Sequence, residues 1–295
     1  MPSAHLKVKL RPVEAKKGTP KDGGNVLFGY KDYWACEIQN TIDHKHAIRL
    51  LRRQTSCSMN KTWSLDEECE EVQVIVKKSR LWPAVESSNI AYDRVTVSAF
   101  GERFYGETYT MLFPFGEIAI TPDDSHQILG LEVAVKAVGD GFDSKISWEK
   151  IFGLTRDLFG WNQVQTESVL EVKDGHLAKK FNLRKLKAAL FGTKKIFDEE
   201  GRVDLVRINA TATGYFLYVL GKCIFPESSG SSVDARYVQL LYPLNEMHEY
   251  SWGTVVVTFL NNELTKASRA LTAQVNGNIC LFQVILSCKS FIFGK

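Results

Sequence analysis

Apolar positions along the chain change their spacing several times, and each change marks an element. Tyr109, Met111 and Phe113 alternate with Thr108, Thr110 and Leu112, which predicts a strand. Pro114-Phe115-Gly116 then supplies a fixed φ followed by a residue that tolerates positive φ, and Ile118 and Ile120 alternate back. A small β-hairpin is therefore expected over 108–121. Thr121-Pro122-Asp123-Asp124 follows as a helix start: a capping hydroxyl, a proline in the first turn and acids at the positive end of the dipole. Ile128, Leu129 and Leu131 give that helix an apolar side, and Gly130 is placed to end it.

Helical spacing dominates the rest. Ser147 is a cap for a helix carrying Trp148, Ile151 and Phe152, and Leu183, Leu186 and Leu190 recur one turn apart. The stretch NATATGYFLYVLGKCIFP is apolar on nearly every side, which predicts a buried helix ended by Gly221 and Pro226. Two further helical patterns run around Tyr237-Leu240-Leu241-Leu244 and Trp252-Val256-Phe259-Leu260-Leu264. The predicted fold class is mainly α, a multi-helix domain with one small hairpin near 108–121.

Before residue 79 the texture differs. Residues 1–24 carry Lys7, Lys9, Arg11, Lys16, Lys17 and Lys21 against Glu14 and Asp22, with Pro and Gly as breakers, and are expected to form a flexible basic arm. Residues 25–78 hold a basic run, HKHAIRLLRRQ, then an acidic one, DEECEEVQVIVKK, which read as two solvated faces of an extension without assigned function. From 79 to 295 little reads as linker except Gly139-Asp140-Gly141 and Pro226 to Ser232, the latter expected as an exposed loop, so a single domain is predicted there.

Composition adds limits. With 295 residues, 44% hydrophobic and 24% charged, the chain is an ordinary globular one with enough apolar content for a sizeable core. A net charge of +3 is too mild to indicate nucleic acid. Its distribution is more suggestive: Lys179, Lys180, Arg184, Lys185, Lys187, Lys194 and Lys195 occur with no acid among them. Placed on one helix over 179–195, Lys180, Arg184 and Lys187 share a side. Lys179, Lys180, Arg184 and Lys187 are thus candidate phosphate contacts, implying weak, sequence-independent binding. Six irregularly spaced cysteines include no CxxC pair, so neither a zinc ribbon nor a small disulfide scaffold is suggested and reduced thiols are expected. No segment reaches eighteen uninterrupted apolar residues and the opening residues lack a signal-peptide core, so the protein is expected inside the cell and off the membrane.

Catalytic chemistry finds no pattern. Asp123, Asp124 and His126 lie together, but as first-turn residues of a capped helix they already have a structural role. His44 and His46 beside Asp43 face opposite sides of a helix and lack a third ligand. The segment 226–232 has no P-loop lysine, and no GxSxG, HExxH or GxGxxG occurs. No catalytic, cofactor-binding or metal-binding residue is assigned, and no cofactor is expected.

Three blocks together resemble a known family. Glu102-Arg103-Phe104, Glu107-Thr108, Phe113-Pro114-Phe115-Gly116-Glu117, Ile120-Thr121-x-x-Asp124 and Leu129-Gly130-Leu131 resemble the opening signature of the plant mobile domain. Gly214 to Gly221, with Ile224-Phe225-Pro226 and Gly230, resembles its aromatic-rich helix and loop. Arg236-Tyr237, Leu240-Leu241, Tyr250-Ser251-Trp252-Gly253, Leu260 and Glu263-Leu264 resemble its later block. The family's motif residues fall here on Glu107, Pro114, Gly116, Glu117, Thr121, Asp124, Gly130, Leu131, Gly221, Phe225, Pro226, Arg236, Tyr237, Tyr250, Trp252 and Gly253. Phe104 stands where the family usually has Trp, and Val284 to Lys295 departs from its usual Leu-Leu-Gln-x-Trp continuation, so the domain is expected to be truncated or divergent at that end.

The resemblance implies a nuclear protein tied to transposon-related genes, meristem maintenance, gene expression and transposon silencing. It implies protein partners, among them a phosphatase-like protein. The family is also called aminotransferase-like, and that label meets a chemical test. A pyridoxal-phosphate enzyme needs a Schiff-base lysine, an acid for the pyridinium nitrogen and a phosphate-holding turn, and these cannot be assembled from this sequence. The expected role is a non-catalytic interaction module, with nucleic-acid binding through 179–195 as the alternative.

Overall fold

The structure is a computed structural model. It describes residues 62–88, 93–113, 116–139, 141–227, 229–269, 272 and 274–293, the strand segments 7–9, 48–50 and 53–54, and Tyr33, Cys36 and Met59. Pro114 and Phe115 of the expected turn, Asp140 of the expected linker, the His44–His46 pair and most of the expected basic arm lie outside the described residues.

In chain order, β1 (Lys7–Lys9), β2 (Ile48–Leu50) and β3 (Arg53–Gln54) precede α1 (Glu70–Lys77), α2 (Trp82–Ser87) and α3 (Arg94–Gly101). Next come β4 (Phe104–Tyr105), β5 (Thr110–Phe113), β6 (Gly116–Ala119), α4 (Pro122–Leu129), α5 (Trp148–Phe159) and α6 (Gln163–Val169). Then β7 (Leu170–Lys173), β8 (His176–Asn182), α7 (Leu183–Leu190), α8 (Thr193–Glu200) and α9 (Leu205–Val219) lead to β9 (Ser232–Asp234). The described chain closes with α10 (Trp252–Ala267), β10 (Gln274–Val275) and α11 (Ile279–Phe293).

The organising element is α9, where every residue from Ala210 to Val219 is buried. A helix apolar all round must be enclosed, and α1, α5 and α7 pack around it. A second layer forms where α10 lies on α4 and α11 packs on α3 and α4. The same core takes in Met59, Trp63, Leu65, Val72 and Val76 from the N-terminal side.

The expected hairpin is present, with Phe113 opposite Gly116 and Met111 opposite Ile118, and β4 adds a third strand. A second three-stranded sheet, ordered β7-β8-β9, was not foreseen. Its turn is Asp174-Gly175, with φ of 51° and 78°. Two consecutive positive-φ residues make the tight turn whose twist matches paired strands, and Asp-Gly is its usual sequence.

That sheet corrects the predicted basic helix over 179–195. Lys179 and Lys180 lie in β8, Arg184 and Lys187 in α7, and Lys194 and Lys195 in α8. Helix begins only at Leu183 because the Asn182 side chain accepts from the Lys185 amide and caps it there. A further correction concerns α9, which does not stop at Gly221. It continues as one π-helical turn over Leu220–Ile224 and ends at Phe225, directly before Pro226, the other expected stop. Gly221 serves close approach instead, since a Cβ there would lie 2.7 Å from Val233 Cβ. The pattern around Tyr237 to Leu244 is two 3-10 turns, Ala235–Leu241 and Leu244–Glu249, rather than a long helix. The departing C-terminal stretch is nonetheless helical through Phe293.

Candidate functional site

Most of the described motif residues gather at three joints. The first joins α4 to α10. Thr121 Oγ1 accepts from the Asp124 amide at 3.3 Å while the Asp124 carboxylate accepts from the Thr121 amide at 2.8 Å, a complete capping box. Gly130 ends the helix at φ 69°. Beyond it Leu131 is fully buried, and Gly253 packs so closely that a Cβ would sit 2.6 Å from Ser125 Oγ and 3.0 Å from the Leu131 carbonyl. Trp252 is buried and donates from Nε1 to the Met247 carbonyl at 2.9 Å, with Tyr250 edge-on to it at 5.7 Å. His126 bonds the Leu131 carbonyl through Nδ1 at 3.0 Å, and Asp123 accepts from Gln127 at 2.7 Å. These groups are bonded within the helix and its exit.

The second joint lies after α9. Phe225 stacks on Tyr237 at 4.2 Å and meets Phe259 edge-on at 5.4 Å. Burial pushes the Tyr237 hydroxyl far above the usual phenol range. Arg236 forks onto Asp234 at 2.6 to 3.0 Å and donates to the Ser144 carbonyl at 3.1 Å. The bond to Asp234 holds the guanidinium above its ordinary range. Lys180 pairs with Glu227, and Lys222 donates to the Gly230 carbonyl. Ser229 and Ser231 are exposed as expected for this loop, while its ends, Pro226 and Ser232, are buried.

At the third joint, Tyr33 donates to Glu107, Arg269 lies 3.8 Å from the other carboxylate oxygen, and its guanidinium sits 3.8 Å above the Tyr33 ring. Burial, first, and the bond to Glu107 push the Tyr33 hydroxyl up to about 12. Gly116 and Glu117 lie on the hairpin, where Glu117 accepts from Thr110 at 3.0 Å.

The basic candidates do not share one face. Lys179 donates to the Ile146 carbonyl and sits 5.5 Å over the Trp148 ring. Lys187 donates to the Thr62 carbonyl at 2.7 Å and lies 4.3 Å over Phe191. Arg184 is exposed on α7.

Sequence reasoning missed a buried carboxylate. Glu68, fully buried, accepts from Trp63 Nε1 at 2.8 Å, from the Thr193 amide at 2.9 Å and hydroxyl at 2.6 Å, and from the Gly192 amide at 3.2 Å. It caps α8, whose own N-cap, Gly192, has no side chain to do so. Trp63 fills an aromatic pocket edge-on to Tyr215 at 5.4 Å, Tyr218 at 5.3 Å and Phe191 at 6.5 Å. Arg207 stands near; burial pulls its guanidinium below the ordinary range while the Glu68 charge acts the other way. Glu68 sits among Asp66, Glu67, Glu70 and Glu71, and nothing in that acidic run marks one member as buried. Among the described residues, no group of three or more His, Cys, Asp or Glu is placed to hold a metal ion. Nor is any helix among them long and apolar enough to cross a membrane.

Fold and joints together define a mainly helical scaffold whose signature residues cap helices, permit close packing and tie loops down. Residues 81–286 match the plant mobile domain, and the chain belongs to that family. It is similar to Protein MAIN-LIKE 1 of Arabidopsis thaliana, 29% identical over 247 residues, 82% of this chain and 43% of that protein. It is likewise similar to Protein MAINTENANCE OF MERISTEMS of Arabidopsis thaliana, 26% identical over 243 residues, 79% of this chain and 45% of that one. A serine/threonine-protein phosphatase 7 long form homolog from the same organism is 25% identical over 198 residues, 66% of this chain and 13% of that protein. The chain spans less than half the length of each of these three relatives. No solved structure matches it.

Proposed function

We propose that this chain is a non-catalytic, nuclear protein-interaction module of a transposon-related gene, serving the processes its family implies: meristem maintenance, gene expression and transposon silencing. The observation that carries this reading is the use made of the polar motif residues and of the polar side chains beside them. Asp124 closes a capping box, Asp234 and Arg236 hold each other, and Glu227 holds Lys180. Acids and bases engaged in this way shape surfaces; a general acid or base needs a proton within reach of a substrate. Similarity to a protein named for meristem maintenance supports the role, and a phosphatase-like partner is proposed on the family resemblance. The test is purification of the tagged chain from nuclease-treated plant nuclei. A specific protein partner is expected, and its absence across tissues sinks the reading.

A further inference from the structure

Two basic runs that lie apart in the sequence are paired strand against strand. Residues 1–11 carry Lys7, Lys9 and Arg11, and residues 44–54 carry Lys45, Arg49, Arg52 and Arg53, with no acid in either run. Those seven leave 30 Lys and Arg against all 34 Asp and Glu in the rest of the chain. The mild excess of +3 is therefore the sum of a basic pole and a net acidic remainder. The stretch between the runs adds nothing to the pole, since Lys16, Lys17, Lys21 and Lys31 are offset by Glu14, Asp22, Asp32, Glu37 and Asp43.

The fold brings the two runs together. β1 pairs antiparallel with β2, with Lys7 opposite Leu50, Val8 opposite Arg49 and Lys9 opposite Ile48. Directly opposed residues share a face of such a ribbon and successive residues alternate between faces. Lys7 and Lys9 thus belong to one face and Arg49 to the other. A strand pair that covers a core keeps one face apolar, whereas here each face includes a cation. The ribbon is also tied to the domain. Arg53 of β3 stands opposite Gln274, and Gln54 opposite the buried Val275, in the parallel pairing with β10 between α10 and α11. Only Leu51 and Arg52 separate β2 from β3, a span of at most about 11 Å, so the basic pair is held beside that edge of the fold.

We propose that the β1–β2 ribbon, with Arg53 at its base, is a sequence-independent contact for the phosphate backbone of duplex DNA. Charge complementarity selects a polyanion, and shape selects the duplex. A two-stranded ribbon, its strands about 5 Å apart, fits the major groove of B-form DNA, about 12 Å wide, while the major groove of A-form RNA is too narrow to admit it. Cations on both faces suit a groove walled by phosphates on both sides. Val8, Ile48 and Leu50 between them offer no hydrogen bond to a base edge, so the contact positions the protein without reading sequence. This goes beyond the interaction reading, which stands or falls separately on its protein partner.

The test titrates the full chain onto a fluorescent duplex of about 20 base pairs, at salt from about 20 to 150 mM, beside the variant K7Q/K9Q/R49Q. Each phosphate contact contributes about −0.9 to the slope of log affinity against log salt, so Lys7, Lys9, Arg49 and Arg53 give roughly −3.6 and a loss of roughly a thousandfold over that range. The variant is expected to bind at least roughly tenfold more weakly at the lowest salt and to flatten the slope to about −1. No binding at the lowest salt, or one slope for both chains, overturns the proposal. Tighter binding to single-stranded RNA of equal length overturns the duplex assignment. Capture by a nuclear import receptor without salt-dependent DNA binding gives the basic runs to a protein and overturns it too. If the variant does not fold, acetylation of the wild-type chain decides: duplex DNA must protect Lys7 and Lys9 but not the exposed Lys195, and equal labelling with and without DNA overturns the proposal.

Discussion

Thr121 and Gly253 show how single residues of the family signature act. The Thr121 hydroxyl satisfies an amide that the helix itself leaves open. Thr121→Ala is expected to lower stability by about 1 kcal/mol, read as a shift in the urea midpoint at unchanged slope. Gly253 is a packing residue, since the added methyl of Gly253→Ala meets a backbone oxygen at 3.0 Å that cannot simply rotate away. A loss of roughly 1–3 kcal/mol is expected from such overpacking, measured by the same titration. Tyr33 gives a pH signature. Its hydroxyl is pushed from the ordinary value of 10.0 to about 12 in the folded protein. Between those values the unfolded chain has lost the proton while the folded chain keeps it, so stability falls as pH rises from about 10 to 12. The Tyr33→Phe variant is expected to show a shallower loss over that window in alkaline denaturation, because it removes one proton from the difference.

At the scale of elements, the second sheet depends on two residues in the left-handed region. Gly175→Ala is expected to cost roughly 1–2 kcal/mol, and a melt of the variant beside Asp174→Asn, which keeps the turn chemistry, separates turn strain from loss of charge. The same turn explains what could be read in advance. Thr121, Ser147 and the Met111/Ile118 alternation carry their structure locally, and those elements stand where the pattern placed them. The segment Glu171 to Asn182 also carried its signal in Asp174-Gly175, yet the run of lysines beside the leucine stripe of α7 drew the helix too far back. What stops it is Asn182, a cap as plain as Thr121. The π turn after α9 was not legible, because an apolar run states burial without stating its period. Glu68 was hidden for a different reason. Its burial depends on Gly192 and Thr193, more than a hundred positions away, and no local property of an acidic run reports a distant helix end.

At the scale of the whole molecule, several of the described basic residues serve cohesion. Lys187 and Lys194 hold main-chain carbonyls of the N-terminal segment, and Lys180 holds the loop before β9 through Glu227. Charge reversal of Lys180, Arg184 and Lys187 together is therefore expected to lower the melting temperature, chiefly through Lys187. Retention of wild-type chain on duplex DNA should already be lost by physiological salt, given a net charge of +3. A gel-shift salt series run beside the melts checks both, and retention that persists at physiological salt and disappears with the reversal would restore the nucleic-acid alternative.

The bonds from Glu68 to Gly192 and Thr193 close loops of 124 and 125 residues. During synthesis the N-terminal segment leaves the ribosome long before its seat in α7, α8 and α9 has been translated. Throughout that interval Trp63, Val72 and Val76 have no native surface to cover them, and the neighbouring acids keep the nascent segment hydrated. Distant pairings also slow refolding, because the entropy of loop closure must be met before the contacts that reward it form. The order of translation thus leaves the segment and its seat apart at first, and α10 and α11 emerge later still.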